Sequence, residues 1–504
     1  MTKKLLFLAM AALLALASCS GNKNEDDILI PSVFPGQEDG KDPDGTEVLP
    51  PYKVDAKKTM STGTWTSYDA YAVQCINGFK PEEDPATDEY GGWTRINLGA
   101  GNGYFRVEKA SSGRWWLVDP LGNVFLSKAV AVFSPGGSDR QKENIKSKYG
   151  NNYNWAKAES TFLKEQGFNS LGAWSSVETI RQIPEKMPYT VILSPMGSYN
   201  GSLKSKYPDA FNYKSSPIVG GNWEGYPYNF PRVFDPEFDA KVESVLSAAS
   251  TYKTDKYLIG YFIDNEIPWK PWALEICLTK WPSDDICHQK AQAWLDQRKG
   301  KSGCTIADAT SADKDAFIAY CYEVYLEKVS AALKKYDPNH LFLGNRFNQW
   351  NYELINAEMF KVAGKYVDIV SINHYQKWEP DQAAMRNWAS WSGKPFMVTE
   401  FYTKGLDSGM GNTTGAGWVV KTQSDRGLFY QNFVNGLLKS KVCVGWHWFT
   451  YMDNDPTNTS SDSSNIDSNK GIVKWNCERY DDLIKWMREI NACTFNLARF
   501  YDEQ

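Results

Sequence analysis

Apolar runs typical of buried strands alternate with helix-like segments from about residue 124 to the end of the chain. A short continuous apolar run is typical of a strand buried on both faces, whereas a 3.6-residue period is typical of an amphipathic helix. The pattern predicts strands at Val124–Ala131, Phe168–Ala173, Tyr189–Leu193, Tyr257–Ile263, Leu341–Asn345, Val367–Asn373, Phe396–Thr399 and Val442–Phe449. Helices are predicted at 156–166, 235–249, 316–335, 424–439 and 480–497. Eight strands alternating with helices predict an α/β fold, a (β/α)8 TIM barrel over residues 124–504.

Three segments precede this barrel. Residues 1–18 have a basic start, an apolar run and the ending Leu-Ala-Ser before Cys19, a pattern that predicts a bacterial lipoprotein signal peptide. We therefore expect Cys19 to be lipidated and to anchor the chain to the outer membrane, facing the periplasm or the cell surface. Residues 19–50 are polar and predict a flexible linker, and 51–123 predict a small β-rich segment. Within the barrel, 268–312 is predicted to be a lid-like insertion, because it makes an unusually long connection after the fourth strand.

Composition narrows the possible partners. The 504 residues carry a net charge of -5, and no cluster of Lys or Arg stands out, which argues against a nucleic-acid partner. The chain has only four His and no dense metal-binding motif, so we expect neither a metal nor another cofactor. Beyond Cys19 there are eight cysteines: Cys277 could pair with Cys287 or Cys304, or most of the eight could be buried thiols.

The strongest chemical signal is a pair of glutamates at the ends of apolar runs. Glu266 ends YLIGYFIDNE and Glu400 ends KPFMVTE. An ionised carboxylate is costly to bury, and strand ends in a barrel meet on one face, so both glutamates are predicted at one cleft. The other candidate substrate-binding residues at strand ends are Trp174, Asn265, Asn345, Arg346, His374, Tyr375, Trp446, His447 and Trp448. Two carboxyl groups with donors and aromatic rings favour cleavage of a glycosidic bond.

Several motifs, in order along the chain, resemble glycoside hydrolase family 50, the β-agarases, within the clan A barrels. The matching pieces are GFNSLGAWS (167–175), VFDPEF (233–238), YLIGYFIDNE (257–266), DPNHLFLGNRF (337–347), VDIVSINHY (367–375), LDSGM (406–410) and GWHWFTYMD (445–453). The resemblance implies a retaining hydrolase with Glu266 as acid/base and Glu400 as nucleophile. It also implies that Asn265 binds the sugar 2-hydroxyl, that Tyr375 contacts the nucleophile and that Trp448 forms a platform under the sugar.

The remaining site residues leave alternatives open. Arg346 is expected to orient a carboxylate. The two histidines, His374 and His447, either contact the ligand or satisfy hydrogen bonds in the core. Trp174 and Trp446 could offer ring faces to sugars.

The resemblance implies that the substrate is a polysaccharide or oligosaccharide of the agarose type, cleaved at β-galactosidic bonds. One alternative keeps the mechanism but changes the β-glycan to a sulfated galactan, a β-galactoside or a β-mannan, because specificity lies in the loops. A second alternative is a non-catalytic surface lipoprotein that only captures glycans. A retaining mechanism predicts carboxyl groups about 5 to 5.5 Å apart.

Overall fold

The computed structural model describes residues 49–84, 86–211, 225–348, 355–458, 462 and 464–504. The predicted signal peptide, Cys19 and nearly all of the predicted linker lie outside the described residues, so the lipid anchor stays a prediction. Among the helices of these ranges, none is both long enough and apolar enough to cross a membrane.

The strands of the described residues fall into three sheets. They are β1 (Tyr52–Lys57), β2 (Thr66–Ala70), β3 (Trp93–Asn97), β4 (Arg106–Lys109), β5 (Trp115–Val118), β6 (Asn123–Phe125), β7 (Ser127–Val130), β8 (Ser170–Leu171), β9 (Tyr189–Leu193), β10 (Leu258–Ile263), β11 (Leu341–Phe342), β12 (Phe347–Asn348), β13 (Val370–Asn373), β14 (Phe396–Phe401), β15 (Thr403–Gly405), β16 (Trp418–Val420) and β17 (Cys443–Trp448).

Nine of these strands form a curled parallel sheet in the order β11-β10-β9-β8-β7-β17-β14-β13-β12. All eight predicted strand positions contribute to it, and the fifth, predicted at Leu341–Asn345, is present as the two short strands β11 and β12. These two strands are the edges of the sheet, yet only residues 343–346 separate them in the chain. The sheet curls because its two edges belong to one short segment.

The predicted first strand, Val124–Ala131, needs correction. Its first two residues belong to β6 in an antiparallel sheet, and only Ser127–Val130 forms β7 of the parallel sheet. The prediction ran the two strands together because the apolar run continues through Leu126, which is fully buried. Hydrophobicity alone therefore does not mark the point at which the chain passes from one sheet to the other.

Helices connect the strands of the parallel sheet. They are α1 (Asp139–Tyr149), α2 (Asn152–Glu165), α3 (Val177–Ile180), α4 (Pro195–Leu203), α5 (Pro208–Phe211), α6 (Pro236–Leu246), α7 (Ala273–Thr279), α8 (Ile286–Lys299), α9 (Ser311–Tyr336), α10 (Ala357–Tyr366), α11 (Gln382–Ser392), α12 (Gln423–Lys439), α13 (Asp481–Asn491) and α14 (Thr494–Glu503). The predicted insertion 268–312 contains α7 and α8. The helix predicted at 480–497 is two helices, α13 and α14.

The segment predicted to be β-rich, 51–123, contributes strands to two small sheets. One sheet has the order β3-β6-β5-β4, and Leu117 and Phe125 of that sheet share a core with Ile259 and Val444 of the parallel sheet. The Trp115 amide also donates to the Lys441 carbonyl, just before β17 begins. This sheet therefore covers the end at which the parallel strands start and leaves their carboxyl ends for the site.

The hairpin β1-β2 lies on another side of the fold, in a four-stranded sheet with β15 and β16. Because β15 follows β14 after a single residue, the N-terminal hairpin supports the strand that bears Glu400. The eight cysteines of the described residues are all buried and free, so the thiol alternative holds and no disulfide links Cys277 to Cys287 or Cys304.

Candidate active site

The two glutamates predicted from the sequence meet at the carboxyl end of the parallel sheet. Glu266 follows β10 by three residues, and Glu400 lies inside β14, where its Cα is paired with that of Asn373 at the end of β13. Both glutamate side chains are nearly inaccessible to solvent. Parallel strands bring their carboxyl ends to the same edge, and this explains why residues 134 positions apart (400 minus 266) share one site.

The carboxamide of Asn373 joins the two carboxyl groups. Its Nδ2 donates to Glu266 Oε1 at 2.6 Å and to Glu400 Oε1 at 3.0 Å. Two atoms that share one neighbour at these distances can be no more than 5.6 Å apart (2.6 plus 3.0). The third contact of the same nitrogen is Asn265 Oδ1 at 3.3 Å. Glu266 Oε1 and Glu400 Oε1 are therefore close enough for one glutamate to act as acid and the other as nucleophile on the same sugar.

Glu400 is the carboxyl group surrounded by donors. Arg346 Nη2 donates to Glu400 Oε1 at 2.6 Å, and the Tyr375 hydroxyl donates to Glu400 Oε2 at 2.5 Å. Burial raises the pKa of Glu400, while the Arg346 charge and the Tyr375 hydrogen bond oppose that rise. Donors of this kind stabilise the ionised form, so Glu400 is the group of the pair that carries the negative charge. Arg346 and Tyr375, both predicted site residues, thus contact the carboxyl group of Glu400.

Glu266 is the carboxyl group that retains a proton. Burial, followed by the nearby charge of Glu400, raises the pKa of Glu266 to about 7. Hydrogen bonds from Asn373 and Asn348 and the charge of Arg346 act in the opposite direction. Two carboxyl groups with proton affinities moved apart by their surroundings have the properties of an acid and a nucleophile.

Strained backbone surrounds the pair. Asp264, Glu266, Arg346 and Trp174 all have φ between 48° and 58°, a left-handed conformation that non-glycine residues rarely adopt. Asp264 is held there by the Met196 and Gly197 amides and by the Tyr325 hydroxyl, consistent with a structural role. Each such residue costs about 1 to 3 kcal/mol, and strain of this kind clusters at functional sites.

Trp174 is the predicted aromatic residue that remains accessible. Its side chain follows β8 and is 39% exposed, and one face covers the Arg346 guanidinium at 4.1 Å from the ring centroid. Phe449, just beyond β17, meets the Trp174 ring edge-on at 6.3 Å. Trp174 can therefore offer a ring to a sugar while it stabilises the arginine that orients Glu400.

Two other predicted substrate-binding residues, His374 and Asn345, point away from the two glutamates, contrary to the prediction. His374 lies between Trp388 of α11 and Phe433 of α12, and burial lowers its pKa to about 3. Asn345 Oδ1 accepts a hydrogen bond from Tyr322 of α9. Both side chains therefore belong to the layer between the sheet and its helices.

The three aromatic residues at the end of β17 also need correction. Trp446 Nε1 donates to the Tyr430 hydroxyl of α12, and Trp448 packs on Tyr430 and donates to the Lys470 carbonyl. His447 faces the opposite side, where Nε2 lies 3.0 Å from Ser127 Oγ of β7. All three are fully buried, so Trp446 and Trp448 have no free ring face for a sugar.

The Trp448→Ala variant is consequently expected to unfold more readily than the wild-type protein. Removing this fully buried ring leaves a cavity beside Phe401 and Tyr430, at a cost of about 3 to 5 kcal/mol. Denaturant unfolding followed by tryptophan fluorescence checks the loss. Trp174→Ala is the matched comparison, because its partly exposed ring should contribute little to stability and much to substrate KM. A Trp448→Ala protein of unchanged stability and low activity would restore the platform interpretation.

Asn373 is the main site residue that was missed. It ends the run VDIVSIN as a polar residue after an apolar strand, which is the same signal that identified the glutamates. The prediction instead took its neighbours His374 and Tyr375 as the site residues at the end of this strand. Two further groups, Lys470 and Asp462 of the loop after β17, form an ion pair at 2.9 Å. The Lys470 charge lowers the pKa of Glu400, and the Asp462 charge raises it.

Known proteins resemble this chain in sequence and in structure. No protein-family model matches it. Two curated proteins of Vibrio sp. (strain JT0107) do, β-agarase B and β-agarase A, each 25% identical over 82% of this chain. The chain spans about half of their length, 50% and 47%. The crystal structure of BpGH50 is 28% identical with a TM-score of 0.76, covering 90% of this chain and 96% of that one. The resemblance to glycoside hydrolase family 50 is confirmed.

A more distant structure supports the fold assignment. The structure of an exo-β-agarase has a TM-score of 0.66 at 20% identity and covers 84% of this chain and 69% of that one. At this identity the likeness to family 50 concerns the fold: a mixed α/β structure built on a curled parallel sheet.

Proposed function

We propose that this protein is a retaining glycoside hydrolase that cleaves β-galactosidic bonds in agarose-type galactans or their oligosaccharides. The observation that carries the proposal is the shared contact of Asn373 Nδ2 with Glu266 Oε1 and Glu400 Oε1, which limits the separation of these two atoms to at most 5.6 Å (2.6 plus 3.0). Inverting enzymes need about 6.5 to 9.5 Å, to leave room for a water molecule. The bound therefore supports direct attack by a carboxylate.

The proposed reaction has two displacements. In the first, Glu266 gives its proton to the glycosidic oxygen as Glu400 attacks the anomeric carbon, so that the bond to the leaving sugar breaks and an ester to Glu400 forms. In the second, Glu266 takes a proton from water, whose oxygen attacks the same carbon and releases Glu400. Arg346 and Tyr375 stabilise the ionised Glu400 before the attack, and they stabilise it again when the ester breaks and the carboxylate is released.

The sheet geometry supports a finer description of the fold within this proposal. We propose that it closes into a (β/α)8 barrel through residues 341–348. β11 pairs with β10 on one side of that segment, and β12 pairs with β13 on the other. The amides of Leu343 and Glu266 add hydrogen bonds between the segment and the β10 region. A crystal structure with an open gap between β10 and β13 would contradict closure.

The substrate part of the proposal is supported by the relatives and by charge. The curated relatives are named β-agarases. Within the part of the chain that the structure describes, the cations that lower the pKa of Glu400, Arg346 and Lys470, are both paired with carboxylates, Glu400 and Asp462. A neutral galactan suits such a site better than a sulfated one, which requires cations available for its own charges.

Purified protein tested on several glycans checks this proposal. We expect new reducing ends from agarose or neoagaro-oligosaccharides, with little release from porphyran, carrageenan or β-mannan. Glu400→Gln, which keeps the side-chain shape, is the inactive control. Activity on a sulfated galactan alone would contradict agarose as the substrate and leave the mechanism standing. Binding of a glycan without hydrolysis of any of those tested would favour a protein that only captures glycans.

A further inference from the structure

We propose that Asn373 is a positioning residue that holds Glu266 and Glu400 at their reacting separation and divides a single proton between them. This inference deepens the proposed function and rests on it for its meaning in catalysis. It concerns a residue that touches both carboxyl groups but that has no proton of its own to give in the reaction.

The orientation of the Asn373 amide is fixed by its neighbours. Its Oδ1 accepts from Thr399 Oγ1 at 2.8 Å, on the side away from the carboxyl groups. Its Nδ2 faces Glu266 Oε1, Glu400 Oε1 and Asn265 Oδ1. An amide turned the other way would place an oxygen against two carboxyl groups and lose these contacts, so the nitrogen must face the pair.

Burial makes these contacts strong. The Asn373 side chain is fully inaccessible to solvent, and no bulk water competes for its two N–H groups. Three acceptors surround these two hydrogens, so strengthening the bond to one carboxylate weakens the bonds to the others. A donor shared in this way can follow the negative charge as it passes from Glu400, which becomes an ester, to Glu266, which becomes the base.

Four other charged and titratable groups act on Glu400, and one of them, Arg346, also acts on Glu266. Arg346 approaches from the segment between β11 and β12, and Tyr375 from the end of β13. Lys470 and Asp462, from the loop after β17, influence it with opposite signs. On Glu266 the hydrogen bonds from Asn373 and Asn348 and the charge of Arg346 lower the pKa that burial and Glu400 raise. Asn373 donates a hydrogen bond to each member of the pair.

Removing the Asn373 amide should move the pH dependence of both carboxyl groups upward. A lost donor destabilises each ionised form, and the repulsion between the two carboxylates is no longer reduced. We expect both limbs of the kcat/KM profile to shift to higher pH by about one unit in Asn373→Ala, with kcat reduced on the order of 100-fold. A residue that only supported the fold would lower activity without moving the limbs.

The experiment compares Asn373→Ala and Asn373→Ser with Asn345→Ala. Asn345 is an equally buried asparagine near a strand end, but it contacts Tyr322 of α9, so its loss tests the removal of a buried amide alone. For each protein we would measure thermal unfolding and the pH profile of kcat/KM on a neoagaro-oligosaccharide, whose leaving sugar needs a proton from the acid. The serine variant retains a donor and should show a smaller shift, which also provides a test if the alanine variant does not fold.

Infrared titration of the carboxyl groups separates this inference from the proposed function. Glu266→Gln and Glu400→Gln assign the two bands, and no turnover is needed. An upward shift of both pKa values in Asn373→Ala, absent in Asn345→Ala, supports the inference even if the wild-type protein cleaves none of the substrates. Unshifted carboxyl titrations in a folded Asn373→Ala protein overturn it, whatever the activity of the wild type.

Discussion

Glu400→Ala is expected to abolish hydrolysis, with kcat reduced by a factor on the order of 10⁴ or more. The substitution removes the atom that forms the covalent bond to the sugar and leaves a space beside Arg346 and Tyr375. A small anion such as azide can enter that space and attack the anomeric carbon of an activated aryl β-galactoside. The expected product is a glycosyl azide of inverted configuration, because one displacement replaces two. Product configuration is measured by proton NMR.

Glu159→Ala is a matched control for the loss of a buried carboxylate. Glu159 also accepts hydrogen bonds from a tyrosine and an arginine, Tyr451 and Arg479, but it lies on α2. We expect this variant to lose stability, to retain turnover per folded molecule and to give no azide product. An azide product of retained configuration from Glu400→Ala would reverse the roles of the two glutamates.

Glu266→Ala is expected to reduce kcat on oligosaccharides by about 10²- to 10⁴-fold, the usual contribution of a general acid. A dinitrophenyl β-galactoside needs no protonation of its leaving group, so the glycosyl-enzyme still forms and azide gives a product of retained configuration. Steady-state kinetics with both substrate classes measures the difference. Equal losses on the two classes would contradict an acid at this position.

The same residue determines how activity depends on pH. The acid must be protonated in the free enzyme, so wild-type kcat/KM should fall as pH rises through the Glu266 pKa of about 7. At the acidic end, activity should fall as Glu400 takes up a proton. The basic limb seen on oligosaccharides should be absent when Glu266→Ala is assayed with the activated substrate, and only the acidic limb should remain.

The sequence predicted the arrangement of strands well, because the longer strands of the parallel sheet, such as β9 and β10, are continuous apolar runs. Tyr189–Leu193 matches β9 at both ends, and Glu266 and Glu400 were located because a charged residue that ends such a run is unusual. The split at residues 341–348 was missed, since the positive φ values of Gly344 and Arg346 leave no signature in hydrophobicity.

The direction of individual side chains could not be predicted in the same way. In a strand buried on both faces, apolar residues occupy both sides, so alternation does not show which face meets the helices. Trp448 therefore looked as suitable for a sugar as for the core, and His374 as suitable as Asn373. Only the register between β13 and β14, which pairs Asn373 with Glu400 across an irregularity, decides that the asparagine faces inward.

Arg346, Asn373 and Tyr375 donate hydrogen bonds to the two glutamate side chains, and all three lie at or next to strand ends. The reacting groups are thus built into the rigid framework, whereas the long connections after β9, β10 and β17 lie outside it. Natural or engineered changes to those connections can retune which sugar is admitted, and where along a polymer it is cut, without altering the distance between acid and nucleophile. The architecture separates the evolution of selectivity from that of bond cleavage.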